Sequence, residues 1–272
     1  MASQEIDTDV PHQARIWNHW LGGKDNYPID RQVGDQVRAV FPEIADIARH
    51  SRAFLARAVR FLAEEHGVRQ FLDVGTGLPT SPNTHEIAQA HAPDSTVVYV
   101  DNDPLVLVHA RALLTSGPGK GTTTYIDADV RDPRRLLEQA GAHLDLSRPV
   151  ALMLLGVMGN VADQDDPPTI VAGLVDALAP GSWLVLNDGT DVLGRQPGPA
   201  PDETARAAAI TLYVQAGAHR YYARTPEYLS RFFEGLTLVE PGIVSTPLWR
   251  PEPTQVGLPR PVDAFAGVAL KP

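Results

Sequence analysis

Between Phe71 and Thr80 the chain reads Phe-Leu-Asp-Val-Gly-Thr-Gly-Leu-Pro-Thr, and about one strand–helix–strand unit later it reads Val97-Val-Tyr-Val-Asp-Asn-Asp103. A short apolar run such as Phe71–Val74 suits a parallel strand buried on both faces. The glycines let the chain turn tightly and bring its backbone against a ligand, where a Cβ would collide. Asp101 ends the second run, where one carboxylate can accept from both hydroxyls of a ribose. Together these residues predict a site for a nucleoside-containing cofactor.

The glycine spacing narrows the choice. A dinucleotide fingerprint is Gly-x-Gly-x-x-Gly, the third glycine allowing close helix–strand packing. Here Gly75 and Gly77 are present, but Thr80 holds the third position and Pro79 stands beside it. Asp73, two residues before the first glycine, would repel a pyrophosphate. It suits a ligand carrying a cation, such as the sulfonium and ammonium of S-adenosylmethionine.

Composition excludes several other classes. The chain has no cysteine, which removes disulfides, thiolate metal sites, iron–sulfur radical chemistry and a cysteine nucleophile. Its nine histidines show no His-Glu-x-x-His or comparable spacing, so no metal is expected. A net charge of −10 opposes nucleic-acid binding, which needs clustered Lys and Arg, and favours a small-molecule substrate. No apolar stretch approaches the roughly 20 residues that span a bilayer. The N-terminus has neither a basic nor an apolar signal region, so a cytoplasmic protein without membrane association is expected. The oligomeric state is left open.

The order of elements predicts an α/β fold, doubly wound around a mostly parallel sheet with helices on both faces. Residues 1–66 read as a helical extension: helices near Ala14–Leu21 and Asp30–Val40, then a long period of 3.6 from Pro42 to Glu65. From residue 67 to 272, strands are expected at Gln70–Val74, Thr96–Asp101, Thr122–Ile126, Val150–Leu155 and Ser182–Asn187. Helices near Thr84–Ala92, Pro104–Thr115, Pro133–Ala140 and Thr169–Ala179 alternate with them, the pattern of a parallel sheet. A Gly/Pro loop at Pro197–Pro201, a helix at Asp202–Gln215 and last strands at Leu236–Glu240 and Ala264–Leu270 complete the reading, with a proline-rich loop at Thr246–Pro261.

These residues resemble a known family. Asp73-Val-Gly75-Thr-Gly77, Asp101, Asp127-Ala-Asp129-Val130 and Ala151–Leu155 match the doubly wound S-adenosylmethionine-dependent methyltransferases. Arg15–Tyr27, Gly77–Thr80, Asn83–Glu86, Tyr99–Pro104, Ala128–Pro133 and Trp249-Arg-Pro251 resemble, more narrowly, an actinobacterial S-adenosyl methyltransferase family once catalogued as a domain of unknown function. The resemblance covers nearly the whole chain. It implies a seven-stranded Rossmann-like sheet with an antiparallel last strand, S-adenosylmethionine as cofactor, and no particular acceptor. One departure stands after the fourth strand, where the family pattern has a His pair and this chain reads Gly156-Val-Met-Gly-Asn160.

Cofactor contacts are expected from Asp73, Gly75, Thr76, Gly77, Asp101, Asn102, Asp129, Val130 and Gly156, and from Lys24 and Tyr27 in a loop that would close over the site. Asp129 would accept from the adenine amine while Val130 offers its backbone N–H; a solvated loop leading into the next helix is the alternative. Lys24 or Arg15 could pair with the methionine carboxylate, or Gly22–Tyr27 could be a plain turn between helices. Trp17 and Trp20 share a helix face and read as anchors. Asp103 and the pair Asn83/Glu86 read as helix caps. No catalytic residue is assigned; His19 is a candidate by position alone. Two other classes stay open here: a protein that binds the cofactor or its demethylated product without turnover, and an NAD-dependent oxidoreductase, against which the missing third glycine counts.

Overall fold

Burial orders the strands of this computed structural model, which describes residues 7–106, 108, 121–193, 205–252 and 257–272. All five residues of β1 (Gln70–Val74) and all seven of β5 (Trp183–Gly189) are buried, as are the first four of β4 (Ala151–Leu155). Such strands need cover on both faces, and the sheet has it. The sheet order is β3-β2-β1-β4-β5-β8-β6, with β2 at Thr96–Asp101, β3 at Thr123–Asp127, β6 at Thr237–Leu238 and β8 at Ala264–Leu270. β1 to β5 run parallel and β8 runs antiparallel to β5. A further two-residue strand, β7 (Val244–Ser245), pairs with β8, so the sheet has eight strands.

Helices α1 (Gln13–Trp20), α2 (Pro28–Val40) and α3 (Ile44–Glu64) precede the sheet. α3 lays Phe54, Leu55, Ala58, Phe61 and Leu62 on one sheet face, where they join Phe71, Val97, Met153 and Val185 in one core cluster. Trp249 closes this layer, edge-on to Phe54 and Phe61 at 5.3 and 5.7 Å. Each large side chain buried there contributes about 1.5–3 kcal/mol. The opposite face is covered by α5 (Pro133–Ala140), α6 (Pro167–Asp176) and α8 (Pro226–Ser230), through Leu136, Ile170, Leu174 and Leu229. A third cluster joins α1, α2 and the start of α3 to α7 (Ala205–Gln215), through Ile16, Trp20, Val33, Val37 and Tyr213.

The expected strands are all present, three with the expected bounds and the others shifted by one or two residues. The strand expected at Leu236–Glu240 is cut to Thr237–Leu238. The proline-rich stretch is preceded by β7, which the alternation rule missed at two residues. The helix expected at Pro104–Thr115 is described only at its start, and the Gly/Pro loop at Pro197–Pro201 and the first turn expected at Asp202 lie outside the described residues. Among the described residues no helix is long and apolar enough to cross a membrane.

β1 and β4 are neighbours, yet the chain leaves β1 toward β2 on one side and reaches β5 on the other. In open α/β sheets, that reversal leaves a crevice at the strands' carboxyl ends where ligands bind.

Candidate cofactor and acceptor cavity

A cavity of about 350 Å³ occupies this crevice. It runs from the loop after β1, across the ends of β4 and β5, to a wall built by α1, α2, α3 and α7. Each part follows from local residues.

The loop after β1 turns on two left-handed glycines, Gly75 (φ 70°) and Gly77 (φ 65°). Gly75 is doubly constrained, since a Cβ there would lie 2.5 Å from Val157 Cγ2. The loop hangs from β2: Gly75 N–H donates to Val100 O (2.8 Å) and Gly77 N–H to Asp101 Oδ2 (2.8 Å). Asp101 Oδ1 accepts from Asp103 N–H at 2.9 Å, so both carboxylate oxygens are fixed by backbone. Burial raises the Asp101 carboxyl above its ordinary pKa, against the pull of those amides. Asp103 caps the next helix, accepting from Leu105 N–H at 2.9 Å, and its other oxygen lies 2.8 Å from His12 Nδ1.

Asp73 points into the same crevice from β1. It is buried and accepts from Thr84 Oγ1 at 2.6 Å, at the start of α4 (Thr84–His91). Burial pushes it up to about 6, with Arg52 acting against that shift. The Arg52 guanidinium donates to Thr80 O and to Pro82 O (2.7 Å), bracing the chain after the glycine loop, and it lines the cavity. α4 opens on the expected capping box, in which Asn83 N–H donates to Glu86 Oε2 and the Asn83 side chain accepts from the Glu86 backbone N–H; Thr80 N–H also donates to Asn83 Oδ1. His85 is turned away and bonds Tyr99 Oη at 2.9 Å.

Nine of the residues singled out from sequence line this one cavity: Asp73, Gly75, Thr76, Gly77, Asp101, Asn102, Asp129, Val130 and Gly156. At its rim, Arg131 clasps the Asp129 carboxylate through its backbone N–H (2.9 Å) and its guanidinium, which keeps Asp129 ionised below its usual range. A ligand amine would have to share that carboxylate. Lys24 and Tyr27 are not brought to the wall. Lys24 is exposed, and Tyr27 packs on Leu78 and Leu105 with Arg15 over its ring at 5.3 Å. Arg15 is buried and committed to Asp7 O, Val10 O and Asp30, so it braces the entry to α1. His19 bonds Asp35 at 2.9 Å and does not line the cavity. Trp20 is the expected anchor, its Nε1–H donating to Gly34 O, and both it and Trp17 also face the cavity.

The far side was not anticipated. Ser51 and Leu55 of α3, Asn187 of β5, Arg206 and Tyr213 of α7, and Tyr221 complete the wall. Tyr221 Oη donates to the buried Asp188 at 2.6 Å and accepts from Gly189 N–H at 2.8 Å. Burial lifts Asp188 to about 6 and drives the Tyr221 phenol well above its ordinary range. Two signals existed in the sequence. Ser51 interrupts the apolar stripe Ile47–Leu55 of a helix, and Asn187-Asp188 ends a strand that is otherwise apolar.

The residues therefore fit a ligand with a diol for Asp101, a cationic group near Asp73 and little room over Gly75. A family model described as S-adenosyl methyltransferase matches residues 1–272. A crystal structure of a DUF574-family protein from Streptomyces avermitilis shares 41% identity and a TM-score of 0.90, over 98% of this chain and 100% of that one. Another, from Thermobifida fusca and carrying a provisional methyltransferase assignment, shares 40% identity and a TM-score of 0.86, over 97% and 96%. A plantazolicin methyltransferase solved with S-adenosylhomocysteine is 11% identical with a TM-score of 0.50 over 95% of both chains, a likeness of fold alone. No curated protein matches. On the match along its full length, the chain belongs to the S-adenosyl methyltransferase family, with S-adenosylmethionine as its cofactor.

Proposed function

We propose that this methyltransferase transfers the methyl group to a small-molecule acceptor held over β5, with the cofactor lying across the ends of β2, β1 and β4. The observation that carries this reading is a pair of carboxylates facing one cavity, the buried Asp73 and the half-buried Asp101, each raised by its removal from solvent. A bound cation relieves Asp73, and hydroxyl donors relieve Asp101. In this reading Asp101 holds the ribose hydroxyls, and Gly75, Thr76 and Gly77 bring backbone against the cofactor. Asp73 faces its positive end, Asn102, Asp129 and Val130 flank the adenine, and Gly156 lies beneath the methyl. Lys24 and Tyr27 would reach the ligand only through movement of their loop.

The cofactor supplies a methyl already activated by a sulfonium, so the protein's work is to align a nucleophile and exclude water. Apolar walls and the α1 cover do the second. Calorimetric titration tests the reading: S-adenosylhomocysteine should bind and NAD should not. Tight NAD binding with no response to S-adenosylhomocysteine would overturn it.

α1 is proposed as part of the lid. His12, Ala14, Trp17 and Asn18 line the cavity, and His12 is tied to Asp103 beside the glycine loop. Amide hydrogen exchange should therefore slow at residues 12–21 as well as 75–77 when S-adenosylhomocysteine binds. Protection confined to the glycine loop would make α1 ordinary packing.

A further inference from the structure

Asn187 is buried, 3% exposed, at the carboxyl end of β5. Its Nδ2–H donates to Ser51 Oγ at 3.1 Å, which fixes the amide plane. Its Oδ1 is buried with no hydrogen-bond partner among the described residues, on a side chain that lines the cavity. A buried acceptor left bare is costly, so its position calls for a donor from a ligand.

The place of Asn187 says which ligand. Gly156 N–H donates to Asn187 O at 2.8 Å, so the two ends sit side by side on β4 and β5. Two strand spacings, roughly 10 Å, separate β5 from β1. Asn187 thus stands clear of the glycine loop, one strand spacing past Gly156, on the acceptor's side of the methyl. Apolar and aromatic side chains, Trp20, Phe41, Ile44, Ile47, Ile210 and Tyr213, line the cavity together with Arg206, His219 and Tyr221. Trp20 and Tyr213 meet edge to face at 5.9 Å. On this side Arg206 donates through Nη2 to Asp263 O and lies over the Phe41 ring at 4.8 Å, while its buried Nε has no hydrogen-bond partner among the described residues.

We infer that the methyl acceptor is a ring-bearing, mainly apolar molecule whose N–H or O–H group donates to Asn187 Oδ1. This rests on the cavity being the methyl-transfer site. Asn187 then positions the acceptor's heteroatom, and Ser51 positions Asn187.

Matched probes test it on the full chain saturated with S-adenosylhomocysteine. Indole and benzothiophene share a shape and differ in the N–H; 2-naphthol and 2-methylnaphthalene differ in the O–H. Wild type should bind the donor of each pair tighter by about tenfold or more, the discrimination of a site built around one hydrogen bond. Asn187→Leu should abolish that preference while S-adenosylhomocysteine affinity stays within about twofold, and Asn187→Asp, which keeps an acceptor oxygen, should retain it. Equal binding within both pairs, a preference that survives Asn187→Leu, or no binding by any of the four probes would overturn the inference. If Asn187→Leu does not fold, the wild-type and Asn187→Asp comparisons decide. Failure of S-adenosylhomocysteine itself to bind is a separate result and strikes the cofactor reading instead.

Discussion

Replacing Asp101 with Ala is expected to weaken S-adenosylhomocysteine binding by about 1.5–3 kcal/mol, the scale of hydrogen bonds to a charged acceptor. That is roughly 10- to 150-fold in Kd. The structure adds a second consequence, because the carboxylate also accepts from Gly77 N–H and Asp103 N–H. Without it both amides lose their partner, and among the described residues the glycine loop keeps its backbone bonds to Val100 O. Burial of the carboxylate works the other way, since removing a group whose ionisation is disfavoured returns some stability. The amides lie beside an open cavity where water can reach them, so a net loss of about 1 kcal/mol is expected, a few degrees in Tm for a chain of this size. Calorimetry and thermal melting together separate the two effects. Wild-type affinity in the variant, whatever its Tm, would remove Asp101 from the ribose.

Local patterns carried the β–α core and half of the cavity into the sequence. The glycine loop, Asp73 and Asp101 lie within 29 positions of one another, and parallel pairing of β1 with β2 converts that sequence proximity into a shared wall. Helix caps such as Asn83/Glu86 are local by nature and were equally legible. The acceptor side was not, because it is assembled from residues far apart. Ser51 meets Asn187 across 136 positions, and Tyr221 meets Asp188 across 33. No periodicity encodes such pairs; they follow from how α3 crosses the sheet and where the chain returns after α7. The Gly22–Tyr27 loop is the opposite case. Its polar residues invited a ligand, yet Asn26 is spent on Asn18 and on Gly23 O, and Tyr27 N–H on Asp30. Loop polarity there satisfies the backbone between two helices.

Asp73 gives the other large effect, and its sign can be worked out. Burial holds its carboxyl at about 6 against an ordinary 3.8. Between those values the folded, unliganded protein keeps a proton that the unfolded chain has released. Stability therefore falls as pH rises through that window, and at neutral pH the ionised Asp73 costs about 2–3 kcal/mol. Asp188, lifted to about 6 by the same cause, adds a parallel slope. Asp73→Asn keeps an oxygen for Thr84 and removes the charge, so the unliganded variant should melt several degrees higher at neutral pH. Cofactor binding should move oppositely. A cation beside Asp73, the ammonium that S-adenosylhomocysteine keeps, favours its ionised form, so affinity should weaken as pH falls below about 6, by up to about tenfold per unit. In Asp73→Asn, affinity at pH 7.5 should drop by about tenfold or more, and most of the pH slope should disappear, leaving the remainder that Asp101 contributes. Titrations with S-adenosylhomocysteine from pH 5 to 7.5, on both proteins, check the slope and the stability gain together. A flat wild-type profile, or a variant that binds as tightly as wild type, would mean that Asp73 serves only to hold Thr84 and the start of α4.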